Sequence, residues 1–559
     1  MNDFPPARLS RRSALLLGLS GAASLALAAC GSVDDAASGA GDDIKALSPD
    51  GAPGDTPPAG VKLAATQNAT IAVSNLPSSI DPMVVVSGGA RRFDIYESLI
   101  DTHPSTGEPR PFLATQWKQV DPKTWQFTLR QGVKFHDGTP MTAEDVVFSF
   151  QRAATQGYGI ATHFSTMASA RIIDDKTVEL VTKTPDVLIL KRLAQVAILP
   201  KKYYEGLGTD QKSRDAAFAK APIGTGPYKF ESYASDKAVV KKAGDTTWRK
   251  PTLEKITFLQ VTDAGTQLNS LLAGDVHYIN IQPLNNLPTL KNAGATLVQL
   301  TKGNDLGAFM DSVDNKGMPK TGPMGDKRVR QAIQYALNKE ELVKSVLQDR
   351  TVADDGQLIG KGLPGYTETV KDYPYDVAKA KAMLDEAGYP VKADGTRFTI
   401  TMASAFAGTG SVRRLIGEWM QSSISKLGIK VEFTALTDTA LQLEYFYNTK
   451  QRPDIYHFGL FTRPYMDAAR AYSRFVSDSG SFHMNNPEFD KLYKEQLGEQ
   501  DPAKRQAILA KVTEIFHEES CFLFACADVW VDAAAKNLKG LVQCDVQTEQ
   551  YYDRLYITA

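Results

Sequence analysis

The sequence offers few side chains that could carry out catalytic or metal chemistry. It has seven histidines, and none has a second histidine at ligand spacing; they stand at positions 103, 136, 163, 277, 457, 483 and 517. It contains neither a Gly-x-Ser-x-Gly elbow nor a His-Glu-x-x-His zinc helix. We therefore predict no catalytic residue, no metal site and no cofactor. The main alternative to a protein without catalytic residues is a hydrolase, because the sequence has too many carboxylates to show which pairs could be catalytic.

Two short motifs look chemical and are better interpreted as turns. His136 and Asp137 could form an acid–base pair, but the following Gly138 makes Asp-Gly, which is typical of a tight turn. The segment 224–227, Gly-Thr-Gly-Pro, is similar to a phosphate-binding loop. It lacks the Gly-Lys-Ser/Thr ending, and Pro227 has no amide hydrogen to donate. We interpret this segment as a turn where the chain crosses between domains.

The first thirty residues have the pattern of an export signal. Arg11 and Arg12 precede an apolar stretch, 14–29, which is shorter than a membrane span. The paired arginines suit the twin-arginine route, although any export signal needs positive charge. Leu-Ala-Ala-Cys, ending at Cys30, resembles the bacterial lipobox, so we expect Cys30 to be the lipidated N-terminus of the mature chain. The alternative is a plain secretion signal with an incidental cysteine.

Composition narrows the class of protein. Of the 559 residues, 43% are hydrophobic and 23% charged, and the net charge of −1 gives no reason to expect a nucleic-acid partner. Residues 31–65 are rich in Gly, Ala, Ser, Asp and Pro, which predicts a flexible linker. Cys521, Cys526 and Cys544 lie near the C-terminus, where two could pair in an oxidising compartment or all three could be buried thiols.

Hydrophobic periodicity predicts the elements that must position any site. Alternation predicts a first strand at 69–75, a strand around 125–129 and a hairpin over 171–182. A helix is expected over 89–102, and another begins after Thr142, which is an N-cap followed by two acids.

The C-terminal half is predicted to be α/β. Asp376 begins a helix over 376–387, and a second helix covers 412–427. Strands at 397–404 and 429–436 flank the second helix, and parallel strands need such a crossover.

Five sequence blocks in order resemble one family. They are GVKFHDGTPMTAEDVVFSF at 132–150, PIGTGPYKF at 222–230, DKRVRQAIQYALNKEELV at 326–343, YDVAKAKAMLDEAGY at 375–389 and NNPEFDKLYKE at 485–495. The chain from about residue 68 onward resembles family 5 of the bacterial extracellular solute-binding proteins. These are the receptors of ABC importers for oligopeptides, dipeptides, nickel chelates and related solutes.

The resemblance implies a two-lobed α/β ligand trap of the periplasmic-binding-protein type II fold, with an extra inserted subdomain. Lobe I would comprise 66–109, 223–324 and 526–559, the inserted subdomain 110–222, and the closing lobe II 325–525. The expected partners are a small-molecule or peptide ligand, an ABC permease with its ATPase, and a membrane reached through the lipid anchor. We expect a monomer in the periplasm or cell envelope that does no chemistry on its ligand, with a receptor feeding a sensor as a further alternative.

One segment bears on ligand choice. Peptide receptors of the family carry Gly-Trp followed by an aspartate that pairs with the peptide's amino group, and the matching stretch here is 459–465, with Leu460 in place of Trp and Arg463 in place of Asp. Such an exchange would repel an ammonium group and favour a carboxylate or phosphate. Alternatively Arg463 faces solvent or pairs with Asp467. The resemblance and the aromatic content suggest further ligand contacts at Phe461, Tyr465, Tyr445, Tyr447, Ser87 and Gly88.

Overall fold

The computed structural model describes residues 57–559 except for several short segments, which are 85–92, 105, 156–157, 165, 301–303, 315, 409–410, 439–440, 443, 446–451, 463–464, 480–482, 529 and 543–549. Arg11, Arg12, Cys30 and the predicted linker up to residue 56 lie outside the described residues. Within the described part, no helix combines the length and apolar character needed to cross a membrane.

Twenty-one strands are described. They are β1 Asn68–Val73, β2 Ile100–Thr102, β3 Pro109–Pro111, β4 Ala114–Asp121, β5 Thr124–Leu129, β6 Met167–Asp174, β7 Thr177–Thr182, β8 Tyr228–Tyr233, β9 Lys237–Lys242, β10 Lys255–Gln260, β11 Tyr278–Ile279, β12 Thr296–Leu300, β13 Asn304–Met310, β14 Thr399–Ser404, β15 Lys430–Ala435, β16 Ile455–His457, β17 Leu460–Phe461, β18 Phe522–Ala527, β19 Trp530–Ala534, β20 Leu538–Lys539 and β21 Tyr556–Ile557. The strands predicted at 69–75, 125–129, 171–182, 397–404 and 429–436 are confirmed.

Helices alternate with these strands. They are α1 Ala143–Ala153, α2 Ile189–Leu193, α3 Lys201–Glu205, α4 Gln211–Phe218, α5 Ala264–Ala273, α6 Leu287–Asn292, α7 Lys327–Tyr335, α8 Lys339–Glu341, α9 Val377–Glu386, α10 Val412–Ser425, α11 Ala468–Tyr472, α12 Pro487–Gly498 and α13 Pro502–Glu519. The predicted caps are confirmed: Thr142 and Asp145 form a capping box, and the Asp376 carboxylate accepts from the Lys379 amide at 2.8 Å.

Sheet A is seven-stranded and brings together distant parts of the chain. Its order is β12-β19-β11-β1-β10-β9-β8, with β1 parallel to both β10 and β11, and β19 antiparallel to β11 and β12. The strand order is non-sequential, so the sheet can form only after β1 meets β10 and β11, about 200 residues later, and β11 meets β19, about 250 residues further on.

Sheet B is six-stranded and lies in the C-terminal half. Its order is β15-β14-β16-β13-β17, and β18 pairs with β13; β14, β15 and β16 are parallel, with α10 crossing from β14 to β15. Apolar side chains cover both faces, with Ile400 and Met402 in one cluster and Ala403 and Tyr456 in another. The predicted α/β class is therefore confirmed. Strand β13 at 304–310, which the sequence assigned to lobe I, pairs in sheet B.

Sheet C lies within the predicted inserted segment 110–222. It is a four-stranded antiparallel sheet in the order β4-β5-β7-β6, and α1 packs against β6 and β7. The hairpin between β6 and β7 turns at Asp174, whose carboxylate accepts from the Lys176 amide at 2.8 Å. The domain boundaries as a whole stay predictions.

The helix predicted over 89–102 is wrong for the residues that are described. Phe93 and Asp94 both have φ of 53°, and residues 100–102 form strand β2. The segment is buried: Asp94, Tyr96 and Leu99 are fully enclosed. The apolar residues of this segment are instead buried within surrounding chain, so tertiary contacts override local propensity.

Two of the three late cysteines are free thiols. Cys521 and Cys526 are both buried and unpaired, and burial raises the pKa of each thiol. Cys544 lies outside the described residues. The buried-thiol alternative therefore holds for Cys521 and Cys526.

Candidate functional site

In each sheet, the carboxyl ends of the parallel strands lie side by side. We call this end of the sheet its carboxyl edge. In sheet A, strands β1, β10 and β11 end at Val73, Gln260 and Ile279. In sheet B, strands β14, β15 and β16 end at Ser404, Ala435 and His457. In open α/β sheets, ligands bind outside such carboxyl ends, so these edges are the first places to look for a site.

Two short chain crossings join the edges. Strand β12 ends at Leu300 and β13 begins at Asn304, while β18 ends at Ala527 and β19 begins at Trp530. Because β13 runs antiparallel to β16, and β19 antiparallel to β11, each crossing leaves one carboxyl edge and enters the other. Chains this short span at most about 14 Å, so the two carboxyl edges lie close to each other, and the space between them is the candidate cleft.

The edge of sheet A is rich in amide side chains that bind one another. The Asn280 Oδ1 atom accepts from the Ser74 amide at 2.8 Å and from its hydroxyl at 3.1 Å. Gln282 donates to the Gln267 Oε1 atom at 2.8 Å, and Asn286 donates back to Gln282 at 3.1 Å. Mutual hydrogen bonding fixes these neutral groups in place before any ligand arrives.

The edge of sheet B carries a cation. Arg413 lies in the first turn of α10, donates from Nη1 to the Phe458 carbonyl, and places its guanidinium 5.7 Å from the centre of the Phe406 ring. Burial lowers the pKa of Arg413, although the group stays charged at neutral pH. Among the described residues, this guanidinium donates one hydrogen bond, so its other donors can serve an acceptor-rich ligand.

Carboxylates lie at the same edge. Asp305 on β13 is opposite Ala527 on β18 and opposite Leu460 on β17, and Asp528 follows β18 directly. Burial first, and then the charges of Asp354, Asp355 and Asp528, raise the pKa of Asp305 well above its usual value. Burial likewise raises the pKa of Asp354 to about 7. Raised pKa values favour the neutral form of these carboxyl groups, so Arg413 is the cation of the sheet B edge, whereas the amide cluster of sheet A is uncharged.

A serine–histidine pair stands beside this edge. The Ser404 hydroxyl is 2.8 Å from His457 Nδ1 and 3.2 Å from the Arg413 carbonyl. Both side chains are fully buried, and burial together with the Arg413 charge lowers the pKa of His457 to about 3. A neutral, enclosed histidine orients the serine and holds the end of β14 to β16, with no route for a substrate to the hydroxyl.

A competing surface depression lies on sheet C. Its volume is about 420 Å³, and its lining includes Gln116, Trp117, Lys118 and Gln126. It lies on sheet C, away from the carboxyl edges, and most of the side chains that line it are polar. In the part of the chain that the structure describes, no group of three or more His, Cys, Asp or Glu side chains is arranged to hold a metal.

Three of the predicted ligand contacts, Arg463, Ser87 and Gly88, lie outside the described residues, as does Tyr447. Their roles stay predictions. Asp467, the alternative partner of Arg463, caps α11 and forms an ion pair with Arg505 at 2.8 Å. Phe461 belongs to β17, which pairs with β13 beside Asp305.

The two described tyrosines are packed. Tyr465 is buried, with its hydroxyl against His163 Nδ1, the Arg192 guanidinium 5.7 Å from its ring centre, and its carbonyl accepting from Lys191 at 2.7 Å. These partners all come from the predicted inserted segment, so Tyr465 joins that segment to the sheet B half. Tyr445 is half-buried and packs edge-on against Tyr456, with ring centres 6.0 Å apart.

His136 and the Gly224–Gly226 turn form a structural link, as predicted for turns. His136 Nδ1 accepts from the Gly224 amide at 3.2 Å, so Nε2 donates to the Gly226 carbonyl at 2.9 Å, and burial lowers the pKa of this histidine to about 4. A Cβ atom at Gly224 or Gly226 would lie 2.2 Å or 2.1 Å from backbone oxygens of Ile95 and Asp94. Close backbone packing therefore requires these glycines.

Sequence reasoning missed Arg413 and Asp305. They belong to elements more than 100 residues apart and meet only through the pairing of sheet B. The available signal was positional: Arg413 is the second residue of the helix after β14, and Asp305 is the second residue of the strand that follows a crossing. A search for polar residues next to strand ends would have selected both.

Known proteins are similar to this chain in sequence and in architecture. A family model for the middle region of bacterial extracellular solute-binding proteins, family 5, matches residues 108–483. The dipeptide-binding protein of Escherichia coli is 32% identical over 341 residues, covering 56% of this chain and 62% of that protein. Heme-binding protein A of Haemophilus influenzae is 24% identical over 513 residues, covering 85% of this chain and 90% of that protein.

A solved structure agrees in fold. NikA from Brucella suis in complex with Fe(III)-EDTA superposes with a TM-score of 0.76 at 20% sequence identity, covering 88% of this chain and all of that one. The predicted two-lobed periplasmic-binding-protein fold is therefore confirmed. This chain belongs to family 5 of the bacterial extracellular solute-binding proteins and is a solute-binding receptor.

Proposed function

We propose that this receptor captures a small, acceptor-rich solute between the carboxyl edges of sheets A and B. It then delivers the solute unchanged to the permease and ATPase of an ABC importer. The observation that carries the proposal is the pair of short crossings, which bring the amide cluster of sheet A close to Arg413 of sheet B. Closure of two lobes about such crossings would enclose the solute.

The edge charges support a ligand with an anionic or acceptor-rich group. Arg413 donates one hydrogen bond within the described part of the chain and has further donors at the sheet B edge, and Arg463, at the position where family peptide receptors carry aspartate, would add a second cation. Relatives named for binding dipeptides and heme differ in ligand, so family membership alone does not define the solute. We therefore expect a peptide-like or other small solute that is held through its anionic end.

The buried serine–histidine pair supports a receptor without catalytic activity. Ser404 and His457 are within hydrogen-bond distance but enclosed, and the low pKa of His457 leaves it a poor base near neutral pH. A hydrolase would show turnover of chromogenic ester, peptide or glycoside substrates. A receptor would show only a ligand-induced rise in unfolding temperature.

We also propose that the receptor is a monomer tethered outside the cytoplasm through a lipid on Cys30. Residues 31–65 would form a flexible tether that keeps the receptor close to its permease. Labelling cells with a tagged fatty acid tests this directly. The label should appear on the wild-type chain and be absent from Cys30→Ala.

The ligand test combines mass spectrometry and calorimetry. Protein purified from its own cells is unfolded, and the released solute is identified by mass and returned to the refolded chain in a calorimeter. We expect tight binding of an anionic solute that weakens in Arg463→Ala. Tight binding of ordinary di- or tripeptides, unaffected by Arg463→Ala, would contradict the proposed ligand class.

A further inference from the structure

Two residues combine a strained backbone with an exposed apolar side chain. Among the described residues, eight non-glycine residues have a positive φ: Phe93, Asp94, Ile281, Gln348, Asp349, Phe406, Met466 and Ser520. Of these, only Ile281 and Phe406 are also large, exposed hydrophobics, with φ of 50° and 53° and exposures of 39% and 46%. The left-handed region is unfavourable for bulky and β-branched residues.

The two residues occupy equivalent places on the two carboxyl edges. Ile281 comes two residues after the end of β11 in sheet A, and Phe406 comes two residues after the end of β14 in sheet B. Both strands are members of the parallel sets whose carboxyl ends border the cleft. A single exposed apolar residue with positive φ could result from a turn alone. Here one occurs at the carboxyl edge of each sheet.

Neighbouring backbone holds Phe406 in its strained conformation. The Ala405 amide donates to the His457 carbonyl at 2.8 Å, and the Ala407 amide donates to the Leu436 carbonyl at 2.9 Å. The residues on either side are buried and bonded to the adjacent strands, so Phe406 is turned outward between them. One flank of its ring lies near Phe458, with ring centres 5.8 Å apart, and Arg413 lies near the ring as well.

Ile281 is held in a comparable way. Its amide donates to the Asp532 carboxylate at 2.8 Å, and the next amide, of Gln282, donates to the Val531 carbonyl at 2.7 Å. Asp532 is itself bound by the Tyr278 hydroxyl at 2.5 Å. The surrounding structure thus fixes an unfavourable φ that presents an apolar side chain to the cleft. Strain maintained in this way is typical of ligand-binding positions.

We propose that Ile281 and Phe406 are apolar jaws that grip an apolar group of the solute from opposite walls of the cleft. This inference rests on the proposed function and adds a property of the solute. Because Arg413 lies beside Phe406, the apolar group of the solute adjoins its anionic end. The expected ligand is amphipathic, with a flat or branched hydrocarbon part next to a carboxylate or similar acceptor.

The jaw variants Ile281→Gly and Phe406→Gly separate function from stability. Glycine adopts a positive φ without penalty, so each variant should keep or raise the unfolding temperature while losing the apolar contact. The matched control is Leu415→Ala, which removes an exposed apolar side chain, 38% accessible, from helix α10 near Arg413. A purely structural role for Phe406 or Ile281 predicts a lower unfolding temperature instead.

Two probes are used on the full chain. One is 8-anilinonaphthalene-1-sulfonate, a planar apolar anion, followed by fluorescence; the other is the solute released from the purified protein, followed by thermal shift. We expect both probes to bind each jaw variant about 10- to 100-fold more weakly than the wild type, the loss expected for one buried apolar side chain. Leu415→Ala should bind both like the wild type.

The outcomes distinguish the inference from the function beneath it. If the released solute stabilises the wild type and both jaw variants equally, the jaws are refuted while the receptor function stands. If no released solute stabilises the wild type, the proposed function fails and the jaws fail with it. If the jaw variants lose binding only because they unfold at lower temperature, the strain argument is wrong.

Discussion

The two carboxyl edges use charge in opposite ways. In sheet A, the buried ion pairs lie away from the carboxyl edge: Arg249, which precedes the amino end of β10, is 3% exposed and lies 2.9 Å from Asp553, 3.2 Å from Glu97 and 3.4 Å from Asp94. In sheet B, Arg413 and Asp305 lie at the edge itself. Sheet A therefore presents an uncharged amide cluster at its carboxyl edge, and sheet B presents the Arg413 cation, which can discriminate among solutes.

This difference predicts that the buried ion pairs of Arg249 stabilise the fold, whereas Arg413 at the edge of sheet B binds the ligand. A buried ion pair that loses one partner leaves uncompensated charge in a medium of low dielectric. Arg413 donates to a neutral carbonyl at the carboxyl edge of sheet B, so the fold should tolerate its removal better than that of Arg249. Single substitutions on each side test this division.

The largest expected effect is on stability, from Arg249→Met. Three buried carboxylates would lose their shared cation, and the free energy of unfolding should fall by about 3–5 kcal/mol. Denaturant titration measures this. The control, Arg328→Met, removes an exposed arginine 2.6 Å from Asp326 and should cost less than about 1 kcal/mol. Equal losses in the two variants would contradict the buried role of Arg249.

The next effect is on binding, from Arg413→Met. Loss of a charged hydrogen-bond donor at the cleft should weaken binding of an anionic solute about 10- to 100-fold, with little change in unfolding. Calorimetry with the released solute measures the affinity. The control is Arg414→Met. Arg414 is the next residue along the helix, and its guanidinium donates to Glu418 at 2.8 Å on the exposed helix surface. A similar loss of affinity in both variants would place the ligand elsewhere.

A third prediction concerns pH and Asp354. Its pKa is raised to about 7 by burial, so the folded protein holds this proton more tightly than the unfolded chain, whose value is near 4. The contribution of Asp354 to the free energy of unfolding is thus greatest in acid and falls as the pH rises from about 4 to 7. Asp354→Asn should flatten this dependence in denaturant titrations at several pH values.

Asp385→Asn supplies the contrast for that experiment. The pKa of Asp385 is lowered by its hydrogen bond to Arg397, so its contribution is lost in acid. Removing Asp385 should therefore change the acid side of the profile, and removing Asp354 the range from pH 4 to 7. Identical pH profiles for the two variants would refute the claim that burial raises the pKa of Asp354.

The smallest effect is expected from Gln282→Ala in the uncharged amide cluster of sheet A. This change removes hydrogen bonds to Gln267 and from Asn286, with an expected loss of about 1 kcal/mol in the free energy of unfolding. Binding should weaken by only a few fold and should not gain or lose salt dependence. A strong salt dependence of the change would mean that sheet A also binds the charge of the solute.

Sequence patterns predicted the elements best where local periodicity and packing agree. Helix α10 and its flanking parallel strands follow from apolar spacing, and Thr142 caps α1 through contacts three residues away. The helix prediction failed for residues 93–102 because their apolar side chains belong to a buried irregular segment, with positive φ at Phe93 and Asp94. No local pattern encodes such enclosure.

The site was less predictable than the fold. The five sequence blocks indicated a ligand trap, but the blocks themselves are scaffold, as the hydrogen bonds between His136 and the Gly224–Gly226 turn illustrate. Arg413 and Asp305 reach the same edge through strand register, which depends on pairings between residues 305, 460 and 527. Register of this kind is a property of the assembled sheet rather than of any segment.

Amide hydrogen exchange with and without the released solute tests the central claim most directly. The account predicts that the solute slows exchange at both edges together, around residues 279–282 in sheet A and 404–413 in sheet B, while sheet C is unchanged. Protection confined to one edge, or centred on the depression beside Trp117 and Lys118, would contradict capture between the two edges.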